Sequence, residues 1–225
     1  MINVVEYVIS DEINCLFELP LDTARKLLPK GLEPVEPHHG SALLGITLFD
    51  FTESPVGPYQ ELVFSLYVVP RPGLTIRHPH AAVYPLVVAS THHEARQHAI
   101  DLWHLPHFME DIRLEFLQQD DRSITGKVCT TDGETIVELS ISESGPWKPV
   151  DQFYQSFQND ESGSYIGILA MEGRMTEHEK GTGSLKLYED HRFFEQLDLS
   201  GLDPIPMREM WLKPGVEKYY AVIKV

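Results

Sequence analysis

No apolar stretch in this chain runs far before a proline or glycine stops it, and that punctuation limits the fold more than any other feature. Sixteen prolines and fifteen glycines are spread through 225 residues. Between them lie short runs of β-branched and aromatic residues, such as Tyr59–Val69, Ala81–Ser90 and Val216–Val225. Such side chains suit a pleated, half-buried surface, and Pro and Gly mark the turns between strands. Strands are expected at 2–9, 13–19, 41–52, 59–69, 81–90, 111–118, 123–130, 135–142, 165–173, 181–188, 206–212 and 216–225. Asp132-Gly133 turns one hairpin, Asn159–Ser164 is a polar loop, and Pro70–Pro79 is a proline-rich connection. Helices are few and short. Pro20–Pro29 has Pro at its start, Asp22 in its first turn, Arg25 and Lys26 in its last and Pro29 as its stop. A second helix is expected near 93–102 and a helical turn at 191–197. The pattern is that of a mainly β (α+β) chain, an antiparallel barrel or sandwich with a few short helices at its rim. No repeat, linker or composition break divides residues 1–225, so a single domain is expected.

Charge narrows the function. Thirty-four acidic against 18 basic residues give a formal charge of −16, and no run of Lys or Arg provides a basic patch. A nucleic-acid or anionic-membrane partner is therefore not expected. The opening MINVVEYVISDEIN has no basic region and carries acids inside its apolar stretch, unlike a signal peptide. No window approaches the roughly 20 apolar residues of a membrane span. A cytoplasmic protein is expected. Cys15 and Cys129 lack CxxC spacing. They are either two buried thiols, the commoner case, or one disulfide.

The stretch with most chemistry is Thr91–Phe108, THHEARQHAIDLWHLPHF, a short helix ending in a Trp-His-Leu-Pro-His-Phe turn. It holds His92, His93, His104 and His107, and His78-Pro79-His80 lies nearby in sequence. The i, i+3 pair His104 and His107 could offer imidazoles to zinc or iron, although exposed histidines near turns are the commoner explanation. No metal or cofactor is expected. Arg96 could hold a substrate carboxylate, or pair with Glu94 or Asp101. Tyr59, Trp103 and His104 are candidate pocket walls and substrate contacts, with plain core packing as the alternative for the aromatics.

Several segments, in order, resemble the acetoacetate decarboxylase family. They are Leu21–Pro29 with Gly31-Leu32-Glu33-Pro34, Gly57-Pro58-Tyr59-Gln60-Glu61, Ala95-Arg96 through Leu102-Trp103-His104-Leu105-Pro106-His107, Gly183–Glu209, and Val216-Glu217-Lys218-Tyr219-Tyr220. The resemblance implies a partly open, cone-like β-barrel with a buried central pocket, and copies that associate into a homo-oligomer. The family's chemistry uses a lysine directly after the Pro of the turn. Its neutral amine attacks a β-keto acid, and the handling of such amine pKa values is known from the family's own enzyme. Here His107 follows Pro106, and Phe108 stands where a second lysine often follows. The family's N-terminal arginine falls near Ser10 and Asp11 and has no counterpart; Glu61 matches. Schiff-base decarboxylation is therefore not expected. The resemblance instead suggests a lyase, hydratase or isomerase acting on a small carbonyl or carboxylate compound, with Glu61 and His107 as acid–base residues. A non-catalytic small-molecule binder and a metalloenzyme built on the His clusters are the alternatives.

Overall fold

The computed structural model describes residues 4–73, 77–142, 145–179 and 181–225. In chain order the elements are β1 (Val5–Pro20), α1 (Leu21–Leu27), β2 (Ser41–Glu53), β3 (Tyr59–Val68), β4 (Ala81–Ser90), α2 (His93–Trp103), β5 (Ile112–Gln118), β6 (Ile124–Thr130) and β7 (Thr135–Ile141), then β8 (Lys148–Asp160), β9 (Gly163–His178), β10 (Ser184–Leu187), a 3-10 turn (Arg192–Phe194) and β11 (Arg208–Lys224). Seven strands close a barrel in the order β1-β11-β9-β8-β4-β3-β2, and the other four form a sheet ordered β10-β7-β6-β5. The expected mainly β barrel with few helices is therefore what the chain builds. Its ladders are antiparallel except between β4 and β8, which pair in parallel from Ala81–Val83 to Tyr154–Ser156.

Alternation along the strands decides what each barrel face does. Ile13, Cys15, Phe17 and Leu19 of β1, Leu44, Ile46 and Leu48 of β2, and Leu62, Phe64 and Leu66 of β3 form one buried cluster. The same cluster takes in Leu114, Val128, Val137 and Leu139 of the second sheet. The main core thus lies between the barrel's outer wall and the second sheet. The intervening residues of β1–β3 face the lumen. On β1, register shifts between Val8 and Asp11 change the parity, so that Tyr7 and Ile9 lie with Leu16 in the inner cluster. A β-bulge has that effect because it inserts one unpaired residue. The shift turns Tyr7 and Ile9 inward, while Glu12 and Asn14 face the lumen by plain alternation with Ile13 and Cys15.

Several boundaries differ from the expectation. Segments 2–9 and 13–19 are one bulged strand, with Ile2 and Asn3 outside the described residues. Likewise 206–212 and 216–225 join as β11 across a register shift between Leu212 and Gly215. Strand β8 was not expected, because Gln152-Phe153-Tyr154-Gln155-Ser156-Phe157-Gln158 is half polar. Those polar groups are served inside the fold: the Gln155 side-chain amide donates to the Arg71 carbonyl and accepts from its N–H, both at 2.8 Å. The expected loop 159–164 shrinks to a tight turn, with Asp160 paired to Gly163. Within the expected connection at 70–79, residues 74–76 lie outside the described residues.

The pairing of β4 with β8 ends at Val83, which leaves the rest of that edge open. The segment following α2 closes it. Val88 donates to the Pro106 carbonyl and Phe108 donates to the Val88 carbonyl, each at 2.8 Å. Helix α2 is held at both ends by histidines. His92 Nδ1 accepts from the Ala95 N–H at 3.3 Å, and His104 takes the left-handed conformation, φ 54°, at the C-cap. Among the described residues no helix is long and apolar enough to cross a membrane. Both cysteines are free.

Candidate active site

The inward residues of the barrel leave a cavity of about 90 Å³. On the measure by which one water needs roughly 10–15 Å³, it has room for a small organic molecule. Strand β1 contributes Glu12 and Asn14, β3 Glu61, Ser65 and Tyr67, β8 Tyr154, and β11 Glu217 and Tyr219. A smaller cavity of about 10 Å³ shares Glu61, Leu105, Glu217 and Tyr219 with it and adds Tyr7, Tyr59, His98 and Trp103.

Three glutamates therefore share one lumen, each under a tenth exposed: Glu12 3%, Glu61 7% and Glu217 6%. Burial disfavours the charged form, and it pushes Glu12 and Glu61 up to about 8 from an ordinary 4.5. Glu217 is raised well above the usual range, first by burial and then by the neighbouring charges of Glu61 and Glu12. Their hydrogen bonds are sparse. Asn14 supports Glu12, while the Ser90 hydroxyl reaches Glu61 Oε2 only at 3.5 Å. No Lys or Arg lines either cavity among the described residues. Arg208 makes its charge felt at Tyr67 and Tyr154, yet its guanidinium pairs with Glu177 at 3.0 Å.

Beside the smaller cavity, Trp103 donates its indole N–H to the Tyr7 hydroxyl at 2.8 Å. The Tyr7 hydroxyl is also hydrogen-bonded to Nε2 of His98 at 2.8 Å. Tyr7 packs edge-on against Tyr219, whose ring stacks on Trp103 with centroids 4.4 Å apart. Burial raises the Tyr59 and Tyr219 hydroxyls, so both stay neutral donors.

The residues singled out in the sequence separate into two groups. Glu61, Tyr59 and Trp103 come together at the cavities. His107, Arg96 and His104 do not line them. His107 bridges to Val88 in the closing segment, and neither of its buried ring nitrogens has a hydrogen-bond partner. Burial and the nearby Arg96 charge drop its pKa to about 3, so its imidazole is neutral. Arg96, 6% exposed, pairs with Asp111 at 2.8 Å, rather than with Glu94 or Asp101. His104 pairs with Asp160 at 2.6 Å and stacks on Tyr165. The histidine clusters are thus divided among separate tasks, and among the described residues no group of three or more His, Cys, Asp or Glu is placed to hold a metal ion. Glu12, Asn14 and Glu217 also line the cavity and were not among the residues expected there. The available signal was an acid directly beside an apolar residue within a β run, as in Val8–Ile13 and Val216–Tyr220.

The chain is thus a closed barrel whose lumen is lined by buried carboxyls. The family model described as acetoacetate decarboxylase matches residues 10–198, and the chain belongs to that family. No curated protein matches it in sequence. Among solved structures it is similar to an acetoacetate decarboxylase from Legionella pneumophila, at 12% identity and a TM-score of 0.68, covering 99% of this chain and 87% of that one. It is also similar to the enduracididine biosynthesis enzyme MppR complexed with pyruvate, at 12% identity and TM-score 0.66, over 100% and 91% of the two chains. An acetoacetate decarboxylase-like enzyme from Sphingomonas wittichii RW1 matches at 11% identity and TM-score 0.59, over 100% and 93%. At these identities the likeness is one of fold.

Proposed function

We propose that the barrel lumen is the active site of an enzyme that performs carboxyl acid–base chemistry, in place of amine chemistry, on a small carbonyl compound. The observation that carries this reading is the lumen's ionisable inventory: three buried glutamates and, among the described residues, no lining lysine. A Schiff base needs an amine at the substrate, and imidazole at His107 cannot supply one. A small keto compound as ligand is supported by the family and by MppR, which was solved with pyruvate.

Two carboxyls whose environments separate their proton affinities can divide acid and base roles. Glu217, the more strongly raised, keeps its proton and donates a hydrogen bond to the substrate carbonyl oxygen, helped by the Tyr219 hydroxyl. Glu61, with a pKa of about 8, ionises before Glu217 and takes a proton from the carbon beside that carbonyl. The enolate so formed, held by the Glu217 and Tyr219 donors, is the branch point of dehydration, hydration and isomerisation, which is why a lyase, hydratase or isomerase fits better than a hydrolase. His107 takes no proton-transfer role in this scheme; with Pro106 and Phe108 it completes the wall beside β4. A homo-oligomer working in the cytoplasm completes the proposal. Light scattering checks the assembly.

Borohydride trapping tests the chemistry. With pyruvate or acetoacetate present, no covalent adduct is expected. An adduct mapped to any lysine would overturn the proposal.

A further inference from the structure

The lumen carries unmatched acceptors. Glu12, only 3% exposed, has one carboxyl oxygen, Oε2, without any hydrogen-bond partner, and the side-chain oxygen of Asn14 is also buried and unpartnered. Both residues line the larger cavity, and lying two apart on β1 they point the same way. The groups facing them are acids and tyrosines, with no cation among the described residues that line the cavity. Glu61 lies in the same register row through the Glu12–Phe49 and Phe49–Glu61 pairs, and Glu217 of β11 is a third acid. Tyr67 of β3 and Tyr154 of β8 supply aromatic walls. Arg208 does not line the cavity and holds Glu177 and Glu179 instead, at 3.0 and 3.7 Å.

The geometry points to a positively charged nitrogen, a primary ammonium or a guanidinium, as the group that a ligand presents to Glu12 and Asn14. A carboxylate or ketone brings only acceptors to this end, and a hydroxyl brings a single donor. An ammonium brings three N–H donors and a guanidinium five, in both cases with the charge that a row of carboxyls and tyrosine faces attracts. Glu12 and Glu61 stand two strands apart, a backbone separation of roughly 10 Å. One compound can therefore place its nitrogen at Glu12 and its carbonyl between Glu61 and Glu217. This deepens the function proposed above, on which it rests for the carbonyl half alone: the substrate class becomes a short-chain aminocarbonyl compound.

The test reads binding and needs no turnover. Calorimetry on the full chain compares n-butylammonium, n-butanol and butyrate, in about 0.3 M salt so that the acidic surface is screened. The ammonium is expected to bind at least tenfold tighter than the alcohol, with butyrate weakest, and Glu12→Gln should reduce that preference below threefold. The ranking in the unsubstituted protein requires no variant, so it decides even if Glu12→Gln fails to fold. Equal binding of alcohol and ammonium, tighter binding of butyrate, or an ammonium preference untouched by Glu12→Gln would overturn the inference. Such a result alongside proton abstraction that depends on Glu61 would remove the ammonium site and leave the proposed function standing.

Discussion

At the residue scale the lumen glutamates are the costly choice, and the cost has a measurable sign. Glu12 and Glu61 have an ordinary pKa of 4.5 and a folded pKa of about 8. Between those values the folded chain holds more protons than the unfolded one, so stability falls as pH rises through the window. Each pKa unit corresponds to about 1.4 kcal/mol. Thermal unfolding between pH 5 and 8 should show a declining Tm, and Glu12→Gln should make the decline shallower. His107 has the opposite sign. Its pKa falls from 6.5 to about 3, so its share of stability is present above 6.5 and is lost as pH drops towards 3. His107→Phe removes two buried nitrogens that have no partner, and an apolar ring of similar shape is expected to be neutral or stabilising, by up to about 1–2 kcal/mol. Urea unfolding at pH 7 measures it. The sequence made Glu61 visible through its place after Tyr59 in a matched segment. It could not show that His107 does not line the cavity, because the placement of the closing segment depends on the Val88 bridge. Nor could it show Glu12 facing inward, because the apolar face of Ile13, Cys15 and Phe17 is the barrel's outer face only where the second sheet covers it.

At the element scale, Glu209 joins the barrel to the second sheet. From β11 its Oε1 accepts from the Thr182 and Gly183 N–H groups at 2.8 and 2.7 Å, and its Oε2 accepts from the Ser142 N–H at 3.2 Å. It is 1% exposed, and Glu209→Ala would remove the acceptor of three part-buried N–H groups. A loss of about 1–3 kcal/mol is expected by urea denaturation, with Glu209→Gln milder because it keeps one accepting oxygen. Gly183 belongs to the same junction, since a Cβ there would meet the Ser140 carbonyl oxygen at 2.2 Å. Most strands were legible because β-branched and aromatic runs alternate cleanly. Strand β8 was not, because Gln155 and Gln158 read as surface residues until tertiary partners bury them.

At the scale of the whole molecule, the barrel could be anticipated from punctuated strands and from matched segments in order. The division of the core could not. A sequence shows that Ile13, Ile46 and Phe64 are apolar, but only the second sheet reveals that they form the barrel's outer face. That arrangement frees the lumen from carrying the main core and lets it hold three acids, with two further cavity-lining tyrosines, Tyr67 and Tyr154, at one end. The scaffold is the family's; the chemistry proposed for it rests on the ionisable groups inside the lumen. Its most direct measurement is deuterium exchange at the carbon beside the carbonyl, followed by NMR in heavy water for pyruvate and aminoacetone across pH 5–9. The unsubstituted protein should accelerate exchange with an inflection near 8, the pKa of Glu61, and Glu61→Gln should slow it by roughly 10²–10⁴-fold without loss of fold. Exchange that is absent for every carbonyl compound bound, or that Glu61→Gln leaves unchanged, would contradict the account.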